Sequence, residues 1–510
     1  MTPLVLRSDK FKSVSGGWSA ILAAYLNAHL LGAEGGLSKV GLGVTLSGAD
    51  VRIFATLKHL LSDGDGLRIA LEWGGQGCMK PCFRHCNIFR KNSGRACYSD
   101  GRYHEITCVE PTSFKLWSAT ELHNAISVLL LGRAQADAKA MPKVRYQEMV
   151  MAIGFHPTPH GLLADRNLRT MVPIVQALLY DWVHTFLSDG VVTNAAWSLL
   201  KQACDIEVTT QRAFHEFLSL PWCFSKRRGH RGRNLARLFN DYGAHSNETA
   251  DTIKSSSSEM MTLYSLMRHW AATTLPADER LSEDIAIFEL AAECMDTLVA
   301  IKRGIVTTRA GGATLQRQLI RHGERHRLRH GSARWKPKNH WAFDCAEQIM
   351  ESDYLFDSFV VERAHLRVKE VAERQRDTTH FETAVLSGVI NSHINSFIDG
   401  GVDGIQGRRA KCADLGGATV GDALDWLGMR FNIGDFVSHV GGNFGEVAAR
   451  AEEHEACFLI VTEYVLTGSP CAHSALCRAS GIRRVWGVAD VKECACWRVV
   501  DAESRVVIKQ

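Results

Sequence analysis

LLSDGDGLRIALEWGGQGCMKPCFRHC, residues 60–86, is the stretch on which the reading of this chain turns. The apolar run VRIFATLKHLL (51–61) has the length and content of a buried strand, and it stops at Asp63 and Asp65, set among glycines. Cys78, Cys82, His85 and Cys86 follow directly. Acids at a strand end, with soft metal ligands just beyond, raise two separate chemistries. Asp and Gly both suit tight turns, so a plain turn is one reading of Asp63 and Asp65. The other is a divalent-metal carboxylate, because two-metal phosphoryl-transfer sites hang hard oxygen ligands on rigid strand ends. An EF-hand loop is excluded, since its fifth position here is Leu67.

The bulk composition sets the frame. A chain of 510 residues exceeds one compact core and predicts about two to four domains. With 46% hydrophobic and 22% charged residues it is of ordinary globular composition, which excludes wholesale disorder. The net charge of +4 says little about partners, so a nucleic-acid signal must come from local clustering. The opening MTPLVLRSDKFKSV carries charges where a secretory signal has its apolar core, and apolar runs such as CFLIVTEYVL are far shorter than the ~20 residues of a membrane span. The expectation is an intracellular protein with no membrane partner. Its 15 cysteines, an odd count, would then stay reduced or bind metal.

Texture changes along the chain. Residues 1–110 mix apolar runs with glycine punctuation and predict an α/β layer with one helix at about Trp18 to Leu31. Residues 111–320 carry helical periodicity, as in SEDIAIFELAAECMDTLVAIKRG, and predict a large, mostly helical insertion. A basic stretch and a further helical block occupy 321–400. From 425 to 510, short apolar runs alternate with turns and predict a small β domain.

Cys82 and His85 form a C-x-x-H pair, and Cys97 and Cys108 from the next segment complete the predicted zinc quartet. Zn²⁺ takes four N or S ligands in a tetrahedron, and ligands paired on turns supply them with little ordering. Cys86 and His104 compete for the same places, and free core cysteines are the plain alternative. The site offers no open position, so it reads as structural.

Basic residues cluster twice. Lys226, Arg227, Arg228, Arg231 and Arg233 form one group. Arg321, Arg325, Arg327, Arg329, Arg334, Lys336 and Lys338 form a denser one, interleaved with His322, His326, His330 and Trp335, against the single acid Glu324. Charge runs are ordinarily solvated surface, but so one-sided a run is an efficient non-specific grip on phosphates.

The strand, the aspartates and the K-P-C-x-x-H pair together resemble transposon-derived proteins distantly similar to the CACTA and Plavaka groups of DDE transposases. LLYDWVHTFLSDG (178–190) is similar to their D-x-M-H-x-x-x-x-x-G motif, with Val183 for Met. KPKNHWAFDCAEQI (336–349) resembles their K-x-H-x-x-x-H-x-x-x-Q-I run, with Asp344 for the second His. FVVERAHLRVKEVAER (359–374) resembles their E-R-x-H-x-x-x-K helix. The resemblance covers most of residues 1–390. It implies a partial RNase H-like core and a nuclear, DNA-cutting ancestor using Mg²⁺ or Mn²⁺. Asp63 or Asp65 and Glu362 would be the metal-binding acids, with Asp181 as the further candidate, and a homo-oligomer is allowed. An acid on a still earlier strand is expected to be missing, which implies an inactive chain. The alternative is a non-catalytic, zinc-containing nucleic-acid-binding remnant, and a purely structural helical protein is the third.

Overall fold

The computed structural model describes residues 14–508 apart from 32–35, 47–48, 56, 91–101, 172–173, 224–234, 333, 359–367, 377–379, 399–403, 413–417, 427–428, 440, 454–455, 495 and 501–503. Its chain divides into two compact units, each built from separated stretches. The first comprises Met1–Phe186 and Glu293–Asn391, the second Leu187–Ala292 and Ser392–Gln510. The division crosses the four consecutive segments expected from texture, because composition is local whereas units are defined by contacts between distant residues. Among the described residues no helix is long and apolar enough to cross a membrane.

In the first unit the apolar run 51–61 is not one strand. Ala49–Ile53 closes an antiparallel hairpin with Leu42–Leu46, whereas Leu60–Ser62 pairs in parallel with Leu178–Tyr180. Ile53 and Phe54 are exposed, so the middle of the run lacks the buried face that a single core strand requires. The parallel pairing sets Ser62 against Tyr180, which leaves Asp63 and Asp181 as the next residue of each strand. Asp63 then caps the helix Gly64–Leu71: its carboxylate accepts from the Gly66 amide at 2.6 Å, and the helix buries Leu67 and Leu71. The predicted helix near Trp18 is present as Gly17–Leu26, continued by a π-helical turn to Leu31.

Two long helices, Thr308–His330 and Pro337–Ser352, pack against each other in this unit. Gly312 permits the approach: a Cβ there would lie 2.6 Å from Met350 Cγ and 3.1 Å from the Ala346 carbonyl. The second helix is fastened to the parallel strands by Gln348. Its amide donates to the Leu178 carbonyl at 2.9 Å and accepts from the Tyr180 amide at 3.1 Å, standing in for a neighbouring strand.

The second unit joins helices, among them Val191–Asp205, Gln211–Leu218 and Ser257–Thr273, to a mostly C-terminal antiparallel sheet. Its longest hairpin pairs Ala456–Cys471 with Ser474–Gly487. The expected β tail is thus an antiparallel sheet. Trp222–Cys223, from the helical part, adds a strand beside Cys496–Val499. Apolar residues of the sheet bury in two clusters, one around Phe431, Leu459 and Trp486, the other around Phe436, Tyr464 and Trp497.

Candidate metal centre

Cys82 and His85 sit in the turn that follows Pro81, where the His85 amide donates to Cys82 Sγ at 3.4 Å. That contact makes the C-x-x-H pair one rigid unit. The turn is seated by Trp341, whose indole donates to the Pro81 carbonyl at 2.7 Å and stacks on Tyr180 at 4.8 Å. Trp341 belongs to the helix Pro337–Ser352, which begins with Pro at its first position, where no amide donor is lost. On that helix His340, Asp344, Glu347 and Glu351 follow at helical spacing and share one face.

This packing brings Cys82, His85, His340 and Asp344 together, all buried, with one donor atom from each lying within 4.8 Å of the others. His85 Nδ1 lies 3.5 Å from Cys82 Sγ and 3.2 Å from His340 Nε2. Asp344 places one oxygen 3.5 Å from Cys82 Sγ and the other 3.4 Å from His85 Nδ1. His340 Nε2 stands 3.9 Å from Asp344 Oδ2. A tetrahedral ion bonded at about 2.0–2.3 Å demands ligand–ligand edges of about 3.3–3.6 Å. The Cys82–His85 and Cys82–Asp344 edges fall in that range and the His85–His340 edge just below it, whereas the His340–Asp344 edge of 3.9 Å is longer. The four residues could hold one metal ion, and their burial makes it a closed site.

Electrostatics point the same way. Burial drives every member of the group toward its neutral form: the Cys82 thiol is pushed well up and the His85 imidazole well down. His340 is lowered to about 3 and the Asp344 carboxyl raised to about 7, in both cases chiefly by burial. Arg84, itself without solvent exposure, opposes the shift of Asp344 from 3.5 Å and also meets Glu347 and Glu351 at 3.6 and 3.4 Å. A divalent cation would reverse these costs, because thiolate, carboxylate and neutral imidazoles are the forms it binds.

Two of the four expected ligands, Cys82 and His85, therefore belong to the cluster, and of the other two the structure describes only Cys108. Cys97 lies outside the described residues. Cys108 is half-buried with Sγ 3.5 Å from Ser113 Oγ, and it is not among the grouped donors. Cys86 is half-buried and His104 lies in a two-residue strand beside Ile88–Phe89; neither joins the group. His340 and Asp344 were missed as ligands. The signal was their i, i+4 spacing on one helix face, and Asp in place of His obscured it.

The predicted catalytic acids that the structure describes have other surroundings. Asp181 is buried, and its carboxylate accepts from the amides of Val183, His184 and Ser358 and from the Ser358 hydroxyl at 2.7 Å, with His184 Nδ1 at 2.5 Å. These donors hold its pKa below the usual carboxylate value against the opposing effect of burial. Ser358 and Asp181 meet the same ring nitrogen of His184, so the trio is not a nucleophile–base–acid relay, which uses both nitrogens. Asp65 is exposed and pairs with Arg68 at 3.2 Å. Glu362 lies outside the described residues.

The basic stretch is the end of the helix Thr308–His330 and the turn beyond it. Helical spacing sorts it: His322 and His326 turn inward with Leu315 and Leu319, while Arg317, Arg321, Arg325, Arg327 and Arg329 are exposed. Lys336 and Lys338 are half-buried. The cluster at Lys226, Arg227, Arg228, Arg231 and Arg233 falls outside the described residues. Compared with family models, curated proteins and solved structures, the chain has no match.

Proposed function

We propose that the first unit is a zinc-stabilised, transposase-like nucleic-acid-binding domain that grips DNA without cutting it. The observation that carries the reading is the outer face of the helix Thr308–His330, where five exposed arginines from Arg317 to Arg329 stand with one acid, Glu324. Phosphate contacts by such a face release counterions and need no base readout. Zinc is the ion whose tetrahedral preference and N/S/O tolerance suit the Cys82–His85–His340–Asp344 donors. In this role Cys82 and His85 hold the turn, His340 and Asp344 hold the helix that packs beside the arginine helix, and the metal keeps both in place.

The test is binding of a random-sequence duplex as salt is varied. Replacing Arg325, Arg327 and Arg329 by Gln together should weaken binding and flatten the slope of log K against log salt by ~0.9 per lost phosphate contact. An unchanged slope would assign the helix to ordinary surface.

One observation favours a second reading, strand cleavage through Mg²⁺ or Mn²⁺. Asp63 and Asp181 stand at the in-register ends of two adjacent parallel strands, a placement that suits paired metal ligands. Against it, a metal at Asp181 must displace His184 and Ser358 from the carboxylate. Incubation of supercoiled DNA with Mn²⁺ should give no nicking. Nicking abolished by both Asp63→Asn and Asp181→Asn would replace the first reading by the second.

A further inference from the structure

In the second unit, the helix Gln211–Leu218, the end of the helix Ser257–Thr273 and the strands Cys496–Val499 and Ser504–Ile508 border a cavity of about 500 Å³. That volume falls in the range of small-molecule sites, ~300–1,000 Å³. Phe217, Leu220 and Val506 give it an apolar wall, and Thr273 and Thr274 are exposed along it.

One arginine lines it, Arg498. Strand pairing sets Arg498 opposite Trp222, and its guanidinium carbon lies 5.1 Å from the indole ring centre. A cation–π contact of this kind is electrostatic and does not give the guanidinium a hydrogen-bond acceptor in the ring plane. Arg498 is half-buried, its buried Nε has no acceptor, and it makes no ion pair among the described residues. The carboxylate on the wall, Glu216, pairs with Arg212 at 3.3 Å. His269 contributes no charge near neutral pH: burial, and then the Arg498 charge, hold its pKa at about 4, and its Nδ1 meets Ser474 Oγ at 3.1 Å. A cation partly withdrawn from water without a counter-charge is costly, and an incoming anion would offset that cost through charge-assisted hydrogen bonds.

We propose that this cavity binds a small organic monoanion, a carboxylate on an apolar body, with Arg498 as the anchor and Phe217, Leu220 and Val506 as the wall. A single cation matches a single negative charge, and nearby Glu216 disfavours a dianion. Trp222, with its ring centre 5.1 Å from the guanidinium carbon, packs beside the anchor.

The experiment is calorimetric titration of the full chain with 4-phenylbutyrate and with its uncharged amide. The acid should bind, and the amide about tenfold more weakly or worse, the usual worth of a charge-assisted hydrogen bond. Arg498→Gln should bind the acid no better than the unmodified chain binds the amide. Ala213→Trp, at an exposed wall position, should block both. If Arg498→Gln melts early, Ala213→Trp and the acid–amide pair still decide. Equal binding of acid and amide, acid binding that survives either substitution, or no binding at millimolar acid would overturn the proposal.

Discussion

Asp344 and Asp181 are both buried carboxylates in the first unit, at 0% and 1% exposure, yet opposite in chemistry. Asp181 is met by five hydrogen-bond donors, among them three backbone amides, and its charge is satisfied by the fold itself. Asp344 is met by a thiol, two imidazoles and one arginine at 3.5 Å, and burial lifts its pKa to about 7. Burial alone thus marks neither as functional. What separates them is how far the neighbours offset burial: the donors around Asp181 hold its pKa down, whereas around Asp344 Arg84 at 3.5 Å does not outweigh burial and a bound cation would.

The largest expected effect lies at the metal centre. The ion would join residues 255 positions apart, His85 and His340, and by the chain-entropy argument used for disulfides a loop of that size corresponds to about 5 kcal/mol. Cys82→Ser or chelation should therefore unfold the first unit or lower its stability by on the order of 5 kcal/mol, read by urea denaturation. Asp344→His should keep the ion and most of that stability, since a second imidazole at i+4 from His340 reaches the same point. If Asp344→His loses the ion while Asp344→Ala keeps it, the ligand assignment fails.

Asp181→Asn comes next. It removes a charge that accepts several hydrogen bonds and should cost about 2–4 kcal/mol without changing metal content. Loss of metal in that variant would erase the distinction between the two carboxylates.

Their pH dependences should also oppose each other. Asp181 has a folded pKa below its unfolded value. Its stabilisation is present above the unfolded value, near 4, and is lost as pH falls. Asp344 in metal-free protein has a folded pKa raised to about 7. Its protonated form is favoured in the fold, so stability is retained below about 4 and lost as pH rises to about 7. Chelated Asp344→Asn should match the chelated unmodified chain at pH 4 and exceed it at pH 8. The same stability difference at both pH values would contradict the shift.

The smallest effects belong to the strand-end acids that carry no metal in this account. Asp63→Ala removes a helix cap and should cost about 1 kcal/mol. Asp65→Asn breaks an exposed pair and should cost less than ~0.5 kcal/mol. Both leave the metal centre untouched, and thermal melts check them together.

What could be read from sequence followed the range of the signal. Cys82 and His85 were legible because three-residue ligand spacing is local. His340 and Asp344 are spaced as ligands too, but nothing in a chain says which distant turn a helix will meet. The C-terminal sheet was legible from alternation, whereas the strand it takes from Trp222–Cys223 is two residues long and carries no periodicity. The run 51–61 misled because apolar content was taken for one strand, although Ile53 and Phe54 face solvent. In the basic stretch the sequence shows arginines interleaved with His322, His326, His330 and Trp335 but not which of them face inward. Its histidines and arginines separate only once 321–330 is placed on a helix.

The most direct test of the account is the metal content of reduced, purified protein and of three variants, measured by mass spectrometry without added chelator. The account predicts about one zinc per chain, lost in Cys82→Ser and in His340→Ala, and retained in Cys108→Ser. Zinc absent from the unmodified chain, or retained in His340→Ala and lost in Cys108→Ser, would contradict it.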